Sequence, residues 1–424
     1  MNHFEALGGD LACEAVPLAR IAEAVGTPAY VYSTATLERH FNVFREAVRG
    51  LGKPEPLIAY AVKANANLSV LKILIGQGAG ADTVSEGEIR RALAAGASPD
   101  RIVFSGVGKT AAELAFAVDV GVAEINVESE PELDLLSRIA AAKGARQAIA
   151  IRVNPDVAAG GHAKISTGQA DSKFGVSMGE AERLYAKAAN LEGVRPVGVA
   201  CHIGSQISDL APMAAAFGKM RALVGRLRAE GLGVERLDLG GGLGVPYFDS
   251  PDPPEPRAYA AMVAAALGDL DVQLAFEPGR MIVANAGVLL SRVIHVHERP
   301  EGRRFLVLDA AMNDLVRPAM YEAYHDIRPV HEPPPGTALE TYDVVGPVCE
   351  TGDTFARERL LPPLAAGDLV AFMSAGAYGA VMASEYNSRP LVPEVLVSGD
   401  RFAVVRPRPT YDQILAAEPL APWL

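Results

Sequence analysis

The chain has 424 residues, half of them hydrophobic and about a fifth charged, which suits two globular domains or one large barrel with an appendage. A net charge of −12 argues against nucleic acid or an anionic membrane as the main partner, but leaves small-molecule chemistry open. Cys13, Cys201 and Cys349 are far apart and form no CxxC pair, so no disulfide framework or metal site is expected and a cytoplasmic setting is. The N-terminus lacks the basic and apolar regions of a signal peptide, and no apolar run reaches the roughly 18 residues of a membrane helix.

In chain order, the run 27–33 (TPAYVYS) reads as a strand that either precedes the next domain or joins a later sheet. From about 57 to 280 one pattern then recurs, a short apolar β-type run followed by an Ala/Leu/Glu/Arg-rich helical stretch. The strand candidates are LIAYAVKA, GADTVS, RIVFSG, AEINVES, AIAIRVNP, VGVACHIG, RLDLGGG and LAFEPGR. Helices are predicted over 86–95, 111–120, 130–142, 179–189, 211–230 and 256–267. Eight strands separated by helices imply parallel pairing and the closure of a TIM-type (β/α)8 barrel. An open doubly wound sheet is the alternative, although no GxGxxG turn opens the series. The polar string 162–175 (HAKISTGQADSKFG) is expected to form a long loop at the barrel mouth, with Ser166, Thr167 and Lys173 facing ligand or partner.

After Arg280 the texture changes to strands with few helices: GVLLSRVIHVHE, RRFLVLDA, TYDVVGPVCE, DLVAFMSAGAY and EVLVSGDRFAVV. These predict a C-terminal antiparallel β domain, with HEPPPG (331–336) as an exposed turn. The expected division is a barrel over 34–285 and a β domain from 1–33 and 286–424.

Chemistry in such a barrel sits at the C-terminal ends of the strands. Lys63 closes the first strand, where partial desolvation would let its amine act as a nucleophile, although a lone strand-end lysine more commonly snorkels to water. LDLGGGLG (237–244) and EPGR (277–280) end two successive strands with glycines and a cation, a combination suited to an anion such as phosphate. A flexible turn is the plainer explanation of the glycines, yet no GK[ST] follows that would make a P-loop. His202 and Ser205 in CHIGSQI fall on the same rim, though a lone strand-end histidine is more often structural.

Together AYAVKAN, GADTVSEGEI, IRVNP, HAKISTGQADSKFG, CHIGSQI, LDLGGGLG, EPGR, VCETGD and AYGAVMASEYNSRP give the chain, from about 28 to 405, a specific resemblance. It resembles the alanine-racemase-fold, pyridoxal-phosphate-dependent decarboxylases, and within them the diaminopimelate decarboxylases. The resemblance implies pyridoxal 5'-phosphate as cofactor, held by Lys63 as a Schiff base, with Glu277 keeping the ring nitrogen protonated so that the ring can act as an electron sink. It implies that His202 stacks on the ring and that Ser205, Gly241, Gly242, Gly279 and Arg280 cradle the phosphate. Cys349 matches the family's proton donor, since a thiol is still largely protonated at neutral pH; core filling is the ordinary role of a cysteine in an apolar strand.

The implied reaction turns meso-2,6-diaminopimelate into L-lysine and carbon dioxide. Arg280, Arg317 and Tyr321 would meet the distal carboxylate, Glu350 the distal ammonium, and Tyr378 both cofactor and substrate. Arg317 could instead form a surface salt bridge. In this family the cysteine-bearing loop completes a neighbouring subunit's site, which implies a homodimer. Decarboxylases of ornithine, arginine or carboxynorspermidine compete within the same fold, with Arg317, Tyr321 and Glu350 as the discriminating set; a decarboxylase of ornithine or lysine would need an acidic distal site and have no use for this arginine pair. A racemase, a small cofactor-homeostasis protein and a silent regulatory barrel also compete; the large β domain and the presence of both Lys63 and Cys349 speak against them.

Overall fold

The computed structural model describes residues 2–158, 172–247 and 252–424. The chain divides into two compact units, one built from 1–37, 247–250 and 283–424, the other from 38–246 and 251–282. None of the described helices is long and apolar enough to cross a membrane.

The second of these units is a closed barrel of eight parallel strands: Leu57–Ala61, Gly80–Thr83, Ile102–Phe104, Glu124–Val127, Gln147–Arg152, Val194–Ala200, Arg236–Asp238 and Gln273–Phe276. Closure comes from the last strand pairing with the first, Ala275 with Leu57 and Phe276 with Ile58. These are the eight runs expected from sequence. The first four are buried from end to end and the rest over most of their length, because helices cover their outer faces and side chains fill the interior, which is why they read as near-continuous apolar runs. Four of the barrel helices begin with a Ser or Thr whose side-chain oxygen accepts the N–H of a Glu three residues on: Ser85 and Glu88, Thr110 and Glu113, Ser129 and Glu132, Ser177 and Glu180. Each such cap satisfies a donor that the first helical turn leaves orphaned. Among the longer described helices, Leu18–Val25, Thr34–Val48 and Leu68–Gly76 have no counterpart among those expected from sequence.

At the opposite end of the strands from the rim, Glu124 opens the fourth strand fully buried. Its Oε2 accepts from Arg236 Nη1 at 3.3 Å, while Oε1 has no partner. Burial outweighs the nearby guanidinium and pushes the carboxyl up to about 7. The folded value lies above the unfolded one of about 4.3, so the stabilisation is full below that value and is lost as pH rises through 7. This group alone should remove about 2–3 kcal/mol between pH 5 and 8. Glu124→Gln should flatten that part of the slope in urea midpoints at pH 5, 6.5 and 8; parallel slopes for the two proteins would rule the assignment out.

The other unit carries a nine-stranded sheet whose main path runs Thr354–Leu361, Glu340–Val345, Arg304–Leu308, Gly287–Glu298, Ala29–Ser33, Glu394–Ser398 and Arg401–Arg406. Leu369–Phe372 pairs with Gly287–Glu298 and with Ile327–Pro329. The N-terminal strand joins this sheet, antiparallel to 287–290 and parallel to 394–397. The sheet is mostly antiparallel but mixed, because Arg304–Leu308 and Glu340–Val345 also run parallel. A second, three-stranded sheet, Phe4–Leu7, Asp10–Cys13 and Val16–Pro17, was not foreseen. Leu11, Cys13, Val16, Leu18 and Ile21 pack with Val31, Val288, Leu290 and Val395 in one buried cluster.

Candidate active site

On the barrel rim, Lys63 lies just beyond the first strand, whose Ala61 pairs with Asp82 of the second. That register brings Lys63 Nζ to 3.0 Å from Asp82 Oδ2. The Asp82 side chain is wholly buried and that of Lys63 is 36% exposed, so the amine is held at the edge of solvent by a buried charge rather than snorkelling freely. Asp82 Oδ1 has no hydrogen-bond partner.

The glycine run after the seventh strand is forced by space. A Cβ on Gly241 would lie 2.2 Å from the carbonyl oxygen of Glu277, and one on Gly242, whose φ is +110°, would lie 2.5 Å from that of Gly204. The Gly241 amide donates to His202 Nδ1 at 3.1 Å, so Gly241 contributes closeness here while its N–H is engaged by the imidazole. With Nδ1 accepting, the ring proton of neutral His202 sits on Nε2. Burial, then the charges of Lys63 and Arg152, hold the His202 pKa well below its ordinary value, so the ring is neutral.

Glu277 follows the last strand, is 7% exposed, and has an Oε1 with no hydrogen-bond partner. Burial, then the carboxylates of Asp238 and Asp82, push its pKa well above the usual range, with Lys63 and Arg152 opposing. Beside it a Cβ on Gly279 would meet the Ala61 and Ala64 side chains at 3.0 and 3.1 Å. Arg280, 7% exposed, donates from Nε and one Nη to Ser205 Oγ at 3.2 and 3.0 Å. The barrel thus gathers Lys63, His202, Ser205, Gly241, Gly242, Glu277, Gly279 and Arg280 onto one rim.

Asp82, Asp238 and Arg152 belong to the same group but were given no role from sequence. Arg152 ends the fifth strand; its Nη1 donates to Glu128 Oε1 at 2.8 Å and its guanidinium lies 4.8 Å from the Phe174 ring centroid. Glu128 also accepts the amides of Gly106 at 2.8 Å and Gly175 at 3.1 Å. The signal available was an acid or cation ending an apolar strand, as in GADTVS and IRVNP. Of the string 162–175, Ser166 and Thr167 lie outside the described residues; Lys173 sits 5.3 Å from the Phe174 centroid.

In the other unit, Arg317 opens the short helix Arg317–Tyr321 and is 6% exposed, which disposes of a surface salt bridge. Its Nη1 donates to His325 Nε2 at 2.8 Å, His325 in turn donates from Nδ1 to the Met373 carbonyl at 2.9 Å, and the guanidinium lies 4.9 Å from the Tyr247 centroid. Tyr321 ends that helix half-buried. Cys349 lies in no strand: the strand Glu340–Val345 stops short of it, and the thiol is exposed on the following turn, so core filling does not describe it. Glu350 is exposed beside it, and its carboxylate raises the pKa of the Tyr386 phenol. Tyr378 is half-buried at φ 56°, a left-handed conformation uncommon for a tyrosine.

The family described as pyridoxal-dependent decarboxylase, pyridoxal binding domain, matches residues 34–284. The diaminopimelate decarboxylase of Zymomonas mobilis subsp. mobilis is 48% identical over 425 residues, covering 100% of both chains. That of Pseudomonas aeruginosa is 48% identical over 422 residues, again covering 100% of both. Among solved structures, the Helicobacter pylori diaminopimelate decarboxylase complexed with L-lysine matches with TM-score 0.90 at 40% identity, over 94% of this chain and 98% of that one. The M. jannaschii enzyme in co-complex with L-lysine matches with TM-score 0.94 at 35% identity, over 100% of both. The rim fits the cofactor: the orphaned Glu277 oxygen suits a ring N–H, and the Arg280 guanidinium paired with the Ser205 hydroxyl suits a phosphate. The chain therefore belongs to the diaminopimelate decarboxylase family of pyridoxal-dependent decarboxylases, with pyridoxal phosphate as its cofactor.

Proposed function

We propose that this chain converts meso-2,6-diaminopimelate to L-lysine and carbon dioxide, the step that completes lysine biosynthesis. When bound, pyridoxal phosphate supplies a protonated pyridine ring that takes up the electron pair left as carbon dioxide departs. Lys63 would hold the cofactor through its Nζ, and Asp82, 3.0 Å from that amine, would keep it in place. Glu277 holds the ring-nitrogen proton through its unpartnered oxygen, and the bound cation lowers the cost of burying that carboxylate. Neutral His202 stacks on the ring without competing with it for positive charge. Ser205, Gly241, Gly242, Gly279 and Arg280 would form the phosphate cradle, Gly241 by letting its turn pack against the Glu277 carbonyl. Adding a methyl there should weaken cofactor retention: Gly241→Ala is expected to raise the dissociation constant by at least about tenfold in an absorbance titration. An unchanged constant would show that the backbone gives way freely.

Cys349 delivers a proton to the substrate's α-carbon, Glu350 binds the distal ammonium, and Tyr378 contacts cofactor and substrate. The exposure of the first two suits residues that complete the site of a partner subunit, so the working form is a homodimer. Three free cysteines suit a reducing cytoplasm.

Arg317 carries the substrate reading. A buried guanidinium, aimed by a histidine and backed by an aromatic ring, is built for a carboxylate, and only diaminopimelate among the competing substrates presents one at its far end. Arg280 and Tyr321 are assigned to the same carboxylate. Arg317→Met should raise KM for diaminopimelate by about 10–100-fold with a smaller change in kcat. The deciding assay is lysine formation by the purified protein with pyridoxal phosphate, run beside ornithine, arginine and lysine as substrates. Turnover of diaminopimelate alone supports the reading; turnover of one of the others in its place discards the roles of Arg317 and Glu350.

A further inference from the structure

A closed ring of hydrogen bonds in the β unit ties together three separate stretches of chain, 312–313, 346–353 and 384–388. The turn carrying Cys349 and Glu350 is pinned from within by Asp353, 3% exposed, whose Oδ2 accepts the Val348 amide at 2.6 Å and whose Oδ1 accepts the Met312 amide at 2.7 Å. The next residue, Asn313, joins Ser384 twice: it accepts the Ser384 amide at its carbonyl at 2.9 Å, and its Nδ2 donates to the Ser384 carbonyl at 3.0 Å. Asn387 then closes the ring, its Oδ1 accepting the Cys349 amide at 3.1 Å. Beside it the Glu350 carboxylate raises the pKa of the Tyr386 phenol.

Packing does not explain the shape of this segment. Residues 385–388 are exposed, yet Asn387 and Ser388 both sit at φ 55°, a left-handed conformation that Asn tolerates better than most residues. What the twist achieves is local: it turns Oδ1 of Asn387 onto the Cys349 amide while Tyr386 faces Glu350. We propose that Tyr386 and Asn387 are positioning residues that hold Glu350 and Cys349 in their working orientations, through a side-chain cradle set on the 384–388 turn. The proposal rests on the roles given above to the thiol and the carboxylate. In the step concerned, the S–H bond breaks as a C–H bond forms at the substrate's α-carbon, and the thiolate is re-protonated by water. A thiol on an unpinned turn would meet that carbon less often in the right geometry, which lowers kcat rather than substrate affinity.

The test uses the full-length, cofactor-loaded enzyme. Asn387→Gly keeps the left-handed backbone and removes the acceptor, whereas Asn387→Asp keeps both. Iodoacetamide reads Cys349 directly, because Cys13 and Cys201 are buried. Asn387→Gly should lower kcat for diaminopimelate about tenfold with KM within about twofold, and change the Cys349 alkylation rate by at least about threefold. Asn387→Asp should return kcat to within about threefold of the parent. Tyr386→Phe, acting through Glu350, should raise KM about fivefold at nearly constant kcat. Wild-type kcat and alkylation in Asn387→Gly would overturn the cradle. So would equal losses in the Gly and Asp variants accompanied by a lowered melting temperature, which would make the turn merely structural. Cys349→Ala separates the two levels. A crippled Cys349→Ala beside an unimpaired Asn387→Gly sinks the cradle alone, and a fully active Cys349→Ala removes the thiol's role and the cradle with it.

Discussion

Lys63→Ala is expected to lower kcat by at least about 10³-fold and to abolish the visible absorbance that the parent shows with pyridoxal phosphate. The size follows from two losses at one atom. In the proposed function Nζ would be the covalent anchor, and it also faces Asp82 at the edge of solvent, 3.0 Å from a wholly buried carboxylate. Without the lysine, that carboxylate is left buried with both oxygens short of donors, since Oδ1 already lacks one. A modest loss of thermal stability in the absence of cofactor should therefore accompany the kinetic effect. Lys63→Arg keeps the charge beside Asp82 and should recover the stability but not the absorbance. Recovery of both would move the covalent anchor elsewhere.

Glu277→Gln should lower kcat by about 10²–10³-fold while the protein still binds cofactor. An amide of nearly the same shape fills the space, so the change isolates charge from packing. In the parent, burial and the two neighbouring carboxylates resist ionisation of Glu277, and in the proposed function a protonated ring nitrogen beside Oε1 would be the counter-charge that makes ionisation favourable. The neutral amide of the variant cannot offer a negative charge, so the bound ring would lose its proton at a lower pH. The absorbance of the bound cofactor should report that shift in a pH titration of the variant beside the parent. Equal kcat values, or superimposable titrations, would show that Glu277 does not govern the ring nitrogen.

The barrel was legible because its strands are buried on both faces and so read as continuous apolar runs, each followed by a helix. The strand Phe4–Leu7 was not: it buries only its first residue, and pairs this short carry no alternation to detect. Strand ends marked by glycine, such as 240–242 and 277–280, could be placed on the rim from sequence because position in the barrel follows from chain order. Asp82, Asp238 and Arg152 could not be given roles in that way. Their meaning depends on which neighbour the register sets beside them, Ala61 opposite Asp82 and Ala200 opposite Arg152, and register is a property of the closed sheet. The same holds for Cys349, whose surroundings looked apolar in one dimension and are an exposed turn in three.

The strand Ala29–Ser33 lies between 287–290 and 394–397, with a ladder on each side. A ribosome releases that strand before the barrel, yet its second partner, 394–397, emerges only after the barrel and the first partner. The barrel's eight strands are all complete before the first partner appears, so the nascent chain carries an unpaired, apolar segment until residues 287–290 emerge. Such an edge is a template for the wrong neighbour, including the same strand of another nascent chain. The vectorial order of synthesis thus sets a window of aggregation risk that the native state no longer displays, and premature termination before residue 394 would leave that window open permanently.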